Sequence, residues 1–387
     1  MQPQPPPTYA DFETTLHDAA REATGLSDFG DEEYREGLRR VIEAYASDLP
    51  DDAETRRTCF TLTLPGLIGR LHSERGWRET PECLEEPIVR PLVIAGIPRT
   101  GTTALHGLLA MDPQFQGLQN WIIPNPIVRP PRERWAEHPL HRAAVERVAV
   151  LAAASPKAMR AHTVEADDVD ECLALMMQSF VTNQLPSLLD LPSYDAWYLE
   201  QDEAASYRRL ADNLRLIGHA EREKSWLLKN PTHLLRMQTL LEVLPDARII
   251  HTHREPVATF GSMCSMLAAF RGNPAPGSPA ALAIGPRQLR LYKIATEHTM
   301  AVRDQRPEAF HDVHQADLAR DPMGVVHGIY RRFDLELGPE AEQRMQQWIA
   351  AHPVNARGEH RYRPEDYGLS DEGIRRELEP YTDRYGL

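Results

Sequence analysis

From Tyr9 to about Arg78 the apolar positions repeat with a helical period. Leu38, Val41, Ile42 and Tyr45 fall at i, i+3, i+4 and i+7, and Leu64, Leu67, Ile68 and Leu71 do much the same, which is the spacing of one buried stripe along a helix. These helices carry no obvious chemistry, so residues 1–88 are read as a helical cap behind a proline-rich lead. At Ile88 the pattern changes. IVRPLVIAG is a short β-branched run closed by glycine, as a buried parallel strand would be. The loop GIPRTG follows it, and TTALHGLLAMD then returns to helical spacing. SWLLKNPTHLLRMQTLLEVLPD predicts a strand at Trp226 to Lys229 and a helix from about Thr232. ARIIHTHREPVATFGSMCSML predicts a strand at Arg248 to Thr252 and a helix after Pro256, and a fourth pair is expected around Val313 and after Pro322. Strands that alternate with helices imply a parallel sheet covered on both faces. The expected fold class is therefore α/β, a three-layer α/β/α domain over residues 89–387 with a helical insertion at about 112–224.

Composition narrows the partners more than the fold. The chain has 387 residues, 42% hydrophobic and 26% charged, with a formal net charge of −14. Such a balance disfavours nucleic acid or an anionic membrane as a general partner, so an anionic ligand has to be met by a few placed cations. Cys59, Cys83, Cys172 and Cys264 are scattered without C-x-x-C spacing, which argues against a disulfide framework and against a zinc site. The start, MQPQPPPTYADFETTL, lacks the basic and apolar regions of a signal peptide. No apolar run reaches the roughly 18 residues that a membrane span needs. A cytoplasmic protein is expected.

The candidate chemistry begins at GIPRTGTT, Gly96 to Thr103. The phosphate-loop pattern is G-x-x-x-x-G-K-[ST], in which backbone N–H groups cradle phosphate oxygens and the lysine reaches the outer phosphates. Gly96, Gly101 and Thr103 match that pattern, but Thr102 stands in the lysine position and Arg99 lies inside the loop. Strand, glycine loop and helix in this order support a P-loop-NTPase-like reading without the triphosphate lysine. Arg99, Lys229 and Arg254 each fall at or just past the end of an expected strand, where parallel sheets bind ligands. A cradle with cations but no loop lysine suits a sulfuryl group on a nucleotide phosphate, which carries one negative charge and needs no magnesium. No metal is expected. Arg99, Thr100, Gly101, Thr102 and Thr103 would then grip the 5′ phosphate.

The chain resembles the sulfotransferases that use 3′-phosphoadenosine 5′-phosphosulfate (PAPS), whose 5′ loop often reads G-x-P-R-[ST]-G-T-T. IIHTHREPVATFGS matches a second motif of that family, so the resemblance implies that Arg254 and Ser262 hold the 3′ phosphate. NARGEHRYR resembles its C-terminal basic glycine loop, with Arg357 and Gly358 on the same phosphate. The likeness covers residues 89 to about 370. By the same resemblance Lys229 contacts the bridging oxygen of the donor, where charge grows as the S–O bond breaks. A small-molecule hydroxyl acceptor is implied as the partner.

The proton acceptor stays open between His233, His162 and Glu165. The family's K-x-H has Pro231 where its histidine would be, and the carboxylate of the tyrosylprotein branch has no counterpart in LQNWIIPNP. Histidine suits the task because its pKa lies near neutrality. His106 reads as packing. Trp121 to Pro124 form an exposed-looking apolar string, able to wall an acceptor pocket or to pack under the cap. The acidic run EADDVDE reads as a solvated helix start, and RPPRER as a solvated loop. The alternatives carried are a divergent kinase that uses ATP and a non-catalytic nucleotide-binding protein.

Overall fold

The computed structural model describes residues 7–154, 165–353 and 363–387, which fall into two compact units. The first draws on Met1–Ile88, Gln119–Arg147 and Cys172–Arg222, and the second on Val89–Leu118, Val148–Glu171 and Glu223–Leu387. The expected insertion at 112–224 is thus shared between the two units.

In the first unit the leading helices are α1 (Phe12–Thr24), α2 (Tyr34–Asp48) and α3 (Ala53–Glu79). Asp52 caps α3 by accepting from the N–H groups of Glu54 and Thr55 at 2.9 and 2.8 Å, which satisfies two donors that the helix itself cannot. The α2 stripe is buried as its spacing requires. Of the expected α3 stripe only Leu67 and Leu71 are buried, while Leu64 and Ile68 are half-exposed. Polar side chains complete its inner face: Ser73 donates to Asn213 at 2.6 Å, and Arg209 pairs with Glu74 at 2.9 Å. Burial, helped by the nearby Arg70, lowers Arg209 to about 10. Such a network persists in a core only when its members are mutually satisfied.

Two expectations about this unit hold only in part, because loop residues close over a core that period alone does not reveal. Of the apolar string's two expected placements it is packing that fits, and RPPRER is a solvated loop only over Pro131 to Arg134. Trp121, Ile122 and Ile123 are buried, not exposed, and Trp121 packs at 5.6 Å from the ring of Trp135. Within RPPRER, Arg129 is buried and pairs with Glu221 at 2.9 Å.

The second unit carries a five-stranded sheet of β1 (Leu92–Gly96), β2 (Phe115–Gln116), β3 (Ser225–Lys229), β4 (Arg248–His253) and β5 (Phe310–His314). All pairings are parallel, in the order β2-β3-β1-β4-β5. One face packs Leu92, Ile94, Leu227, Ile250 and Val313 against α4 (Thr102–Leu109) and the helix Pro322–Phe333. On the other face His253 bonds Tyr381 at 2.8 Å, and Asp312 pairs with Arg303 of the helix Ile284–Gln305. The α/β class and the parallel sheet are as expected, whereas β2, only two residues long, has no periodic signal. The helix expected from Thr232 starts instead as a 3-10 turn, Pro231–Arg236, and continues as an α-helix over Met237–Val243. Proline opens that turn, and the Asn230 side chain caps it by accepting from the Thr232 N–H at 3.0 Å.

All four cysteines are free and buried. Burial raises the thiols of Cys59 and Cys83 to about 11 and that of Cys264 to about 12. No helix among the described residues is long and apolar enough to cross a membrane.

Candidate functional site

The loop after β1 is shaped by two positions. A Cβ on Gly96 would collide with the Thr252 hydroxyl and lie 2.8 Å from the Thr252 carbonyl oxygen, so only glycine lets β1 run this close to β4. Arg99 and Gly101 both have positive φ, 74° and 93°. Gly101 adopts this at little cost, whereas Arg99 holds a conformation that ordinary residues avoid. Residues held this way cluster at ligand sites. The loop delivers the chain to the start of α4, where no side chain caps the helix. The first N–H groups of a helix have no acceptor within it and carry the positive end of its dipole. They point outward from Thr102, which is buried, and Thr103, which is exposed.

Thr100 does something other than expected. Its side chain is fully buried, and its hydroxyl donates to the Ile97 carbonyl at 2.7 Å and bonds the Thr252 hydroxyl at 2.6 Å. It fastens the loop to β4, which leaves no hydroxyl for a donor phosphate.

Three of the expected donor-binding residues lie in direct contact. Arg254 follows β4, and Ser262 lies two turns into the helix Pro256–Phe270. Arg99 Nε donates to Ser262 Oγ at 3.1 Å, and Arg254 Nη1 donates to the Arg99 carbonyl at 3.1 Å. The 5′ loop and the second motif, more than 150 residues apart in sequence, thus form one cationic corner beyond the strand ends.

Lys229 closes β3 beside this corner, in register with Ile94 of β1. Its side chain is only 1% exposed and donates to Glu171 Oε1 at 2.6 Å. Glu171 is the functional candidate that sequence reasoning missed. It ends the run EADDVDE, whose composition gives no hint of a cation 58 positions further on.

The other expected residues divide. His233 is fully buried in the turn after β3, and burial lowers it to about 3, which makes it a weak proton acceptor at neutral pH. His106, read as packing, is buried on α4 and is lowered to about 3 by burial and then by the Lys229 charge. Glu165 is exposed, with its N–H on Asp168 at 2.8 Å. His162, Arg357 and Gly358 lie outside the described residues.

Among the described residues one trio, His251, His253 and Asp312, has its ligand atoms within 4.8 Å of one another, as a metal would require. Two of its three members are already engaged, while both ring nitrogens of the buried His251 have no hydrogen-bond partner among the described residues. Arg303 pairs with both carboxylate oxygens, and His253 uses its two nitrogens on Tyr381 and Asp312. A guanidinium therefore supplies the positive charge there. Burial would raise the Asp312 carboxyl, but the bonds from His253 and Arg303 outweigh it and hold the group well below its ordinary range.

The profile described as Sulfotransferase family matches residues 91–339. The chain is similar to the crystal structure of sulfotransferase STF1 from Mycobacterium tuberculosis H37Rv, at 34% identity over 94% of this chain and 97% of that one, with a TM-score of 0.86. It is also similar to the crystal structure of sulfotransferase STF9 from Mycobacterium avium, at 27% identity over 97% of this chain and 96% of that one, with a TM-score of 0.88. An omega-hydroxy-beta-dihydromenaquinone-9 sulfotransferase, Stf3 of Mycobacterium bovis, is 25% identical over 305 residues, covering 76% of this chain and 75% of its own length.

Proposed function

We propose, on the premise that the chain belongs to the sulfotransferase family, that it moves the sulfuryl group of PAPS to a hydroxyl of a small-molecule acceptor by in-line displacement. The observation that carries this reading is the cationic corner in which Arg99 bonds Ser262 and Arg254 bonds the Arg99 backbone. Two anion-gripping elements that touch can serve the two phosphates of one nucleotide.

The residues present fit such a donor. The uncapped start of α4 offers backbone N–H groups to the 5′ phosphate, and Arg99 adds a forked cation. Arg254 and Ser262 would hold the 3′ phosphate, and by the family resemblance Arg357 and Gly358 would join them. When bound, the donor supplies an activated sulfuryl group on a phosphate leaving group. Lys229, buried at the end of β3, would stabilise the negative charge that gathers on the bridging oxygen. Its burial matters, because a fixed ammonium in a water-poor site acts more strongly than one in solvent.

The missing loop lysine supports this reading over a kinase, since a triphosphate relies on that lysine and on magnesium. For the acceptor, the named relative acts on an omega-hydroxy compound, and only its hydroxyl is carried over here. Calorimetry tests the donor. 3′-Phosphoadenosine 5′-phosphate should bind without magnesium, by about tenfold or more over ATP with magnesium. The opposite order would return the chain to the kinase reading.

A further inference from the structure

Arg254 reaches the cationic corner from a short piece of chain. β4 ends at His253, and Glu255 already caps the helix Pro256–Phe270 by accepting from the Ala258 N–H at 2.8 Å. The pairing of β4 with β1 stops at Thr252, opposite Gly96, so His253 is paired on one side only, with His314 of the edge strand β5. What aims Arg254 is therefore whatever fixes His253 beside it.

The His253 side chain is held on both nitrogens. It is fully buried, with Nε2 at 3.0 Å from Asp312 Oδ1 and Nδ1 at 2.8 Å from the Tyr381 hydroxyl. Asp312 is paired on both oxygens with Arg303, so its carboxylate accepts. Nε2 then carries the proton, which leaves Nδ1 to accept from the Tyr381 O–H. The Tyr385 ring lies across the same imidazole at 4.0 Å and 23°. Both tyrosines come from the helix Glu379–Tyr385, with Tyr381 lying 128 positions beyond His253.

The allocation of these bonds is selective. His251 stands ring to ring with His253 at 4.2 Å and is as deeply buried, yet both its nitrogens go without a partner among the described residues. A core that only had to satisfy buried imidazoles would serve His251 equally. The bonds are concentrated instead on the residue that precedes Arg254.

Resting on the donor reading above, we propose that His253 and Tyr381 are positioning residues for Arg254, and that the helix Glu379–Tyr385 braces the grip on the 3′ phosphate. The Tyr381 O–H fixes the imidazole, and the imidazole fixes the strand end. The strand end sets the line along which the guanidinium meets the Arg99 carbonyl and the ligand. A cation held within about 0.5 Å of its working place binds an anion with little further ordering cost.

Calorimetry on the full chain compares 3′-phosphoadenosine 5′-phosphate with adenosine 5′-phosphate, which lacks the 3′ phosphate. Tyr381→Phe keeps the ring and removes only the hydroxyl. It should weaken the bisphosphate by about 3- to 10-fold and the monophosphate by less than about twofold. In an Arg254→Ala background the same change should alter bisphosphate affinity by less than about twofold, because the cation that it aims is gone. Tyr385→Phe, which keeps its ring against His253, is the control and should bind as wild type does. Hydrogen exchange gives a reading without mutation, since a ligand and a brace that favours it must stabilise each other. The bisphosphate should slow exchange across Glu379–Tyr385 more than the monophosphate does at equal saturation. No loss for the bisphosphate, equal losses for both ligands, an undiminished effect on top of Arg254→Ala, a matching loss in Tyr385→Phe, or equal protection of the helix would overturn the inference and leave the donor site standing. A wild-type chain that binds the two ligands alike would instead overturn the donor reading on which it rests.

Discussion

At the scale of single residues, Arg254 and Lys229 are both strand-end cations but make separable predictions. Arg254 is assigned to the grip on the donor, through a charge-assisted bond typically worth about 1.5–3 kcal/mol. Arg254→Ala should therefore weaken bisphosphate binding by roughly 10- to 100-fold in calorimetry. Lys229 is assigned to charge that appears only as the S–O bond breaks. Lys229→Ala should leave bisphosphate affinity nearly intact while transfer falls by about 10²-fold or more. If the two variants behaved alike, the division of labour would be wrong. Arg99 and Arg254 were legible as cations at strand ends, whereas Ser262 was reached only through the family resemblance. Glu171 was not legible, because its partner is chosen by the pairing of β2 with β3, and two-residue β2 leaves no pattern to read. Thr100 shows the opposite limit: a hydroxyl in the right motif is consumed by Thr252 of the next strand, a contact that exists only after folding.

At the scale of elements, the unit β1, loop and α4 holds its shape through glycines whose reasons differ. Gly96 is a matter of space, since Thr252 occupies the place of its Cβ. Gly101 is mainly a matter of backbone, at φ 93°. Gly96→Ala should destabilise the fold by about 1–3 kcal/mol through overpacking, seen as a lower denaturant midpoint. Gly101→Ala should cost about 1–2 kcal/mol and should weaken the bisphosphate more than it lowers stability, because the strain falls on the anion loop. Strands β1 and β4 were readable from β-branched runs and β3 from an apolar run that ends in a cation. The turn after β3 was read as the start of an α-helix because Leu234, Met237 and Leu241 fall at i, i+3 and i+7, while Pro231 and the Asn230 cap impose a tighter first turn.

At the scale of the whole molecule, histidine burial sets the response to acid. Unfolded imidazoles take up protons below about 6.5, whereas folded His106 and His233 stay neutral down to about 3. The unfolded chain therefore binds more protons throughout that window, so stability rises with pH across it and levels off above. Each of the two should contribute about 1.4 kcal/mol per pH unit, and His251 and His253, also lowered by burial, act in the same direction. Urea midpoints at pH 5 should fall clearly below those at pH 7.5, and equal midpoints would contradict this account. The −14 net charge was legible from composition, as was the absence of paired cysteines. The division of residues 112–224 between two units was not, because which core a helix joins depends on contacts far along the chain. The sealed thiols have a bearing on durability. A sulfur must be ionised and reachable to be oxidised or cross-linked, and here it becomes so only when the surrounding structure opens. Resistance to peroxide is then governed by how often the protein breathes, and any ligand that quiets that breathing would shield cysteines it never touches.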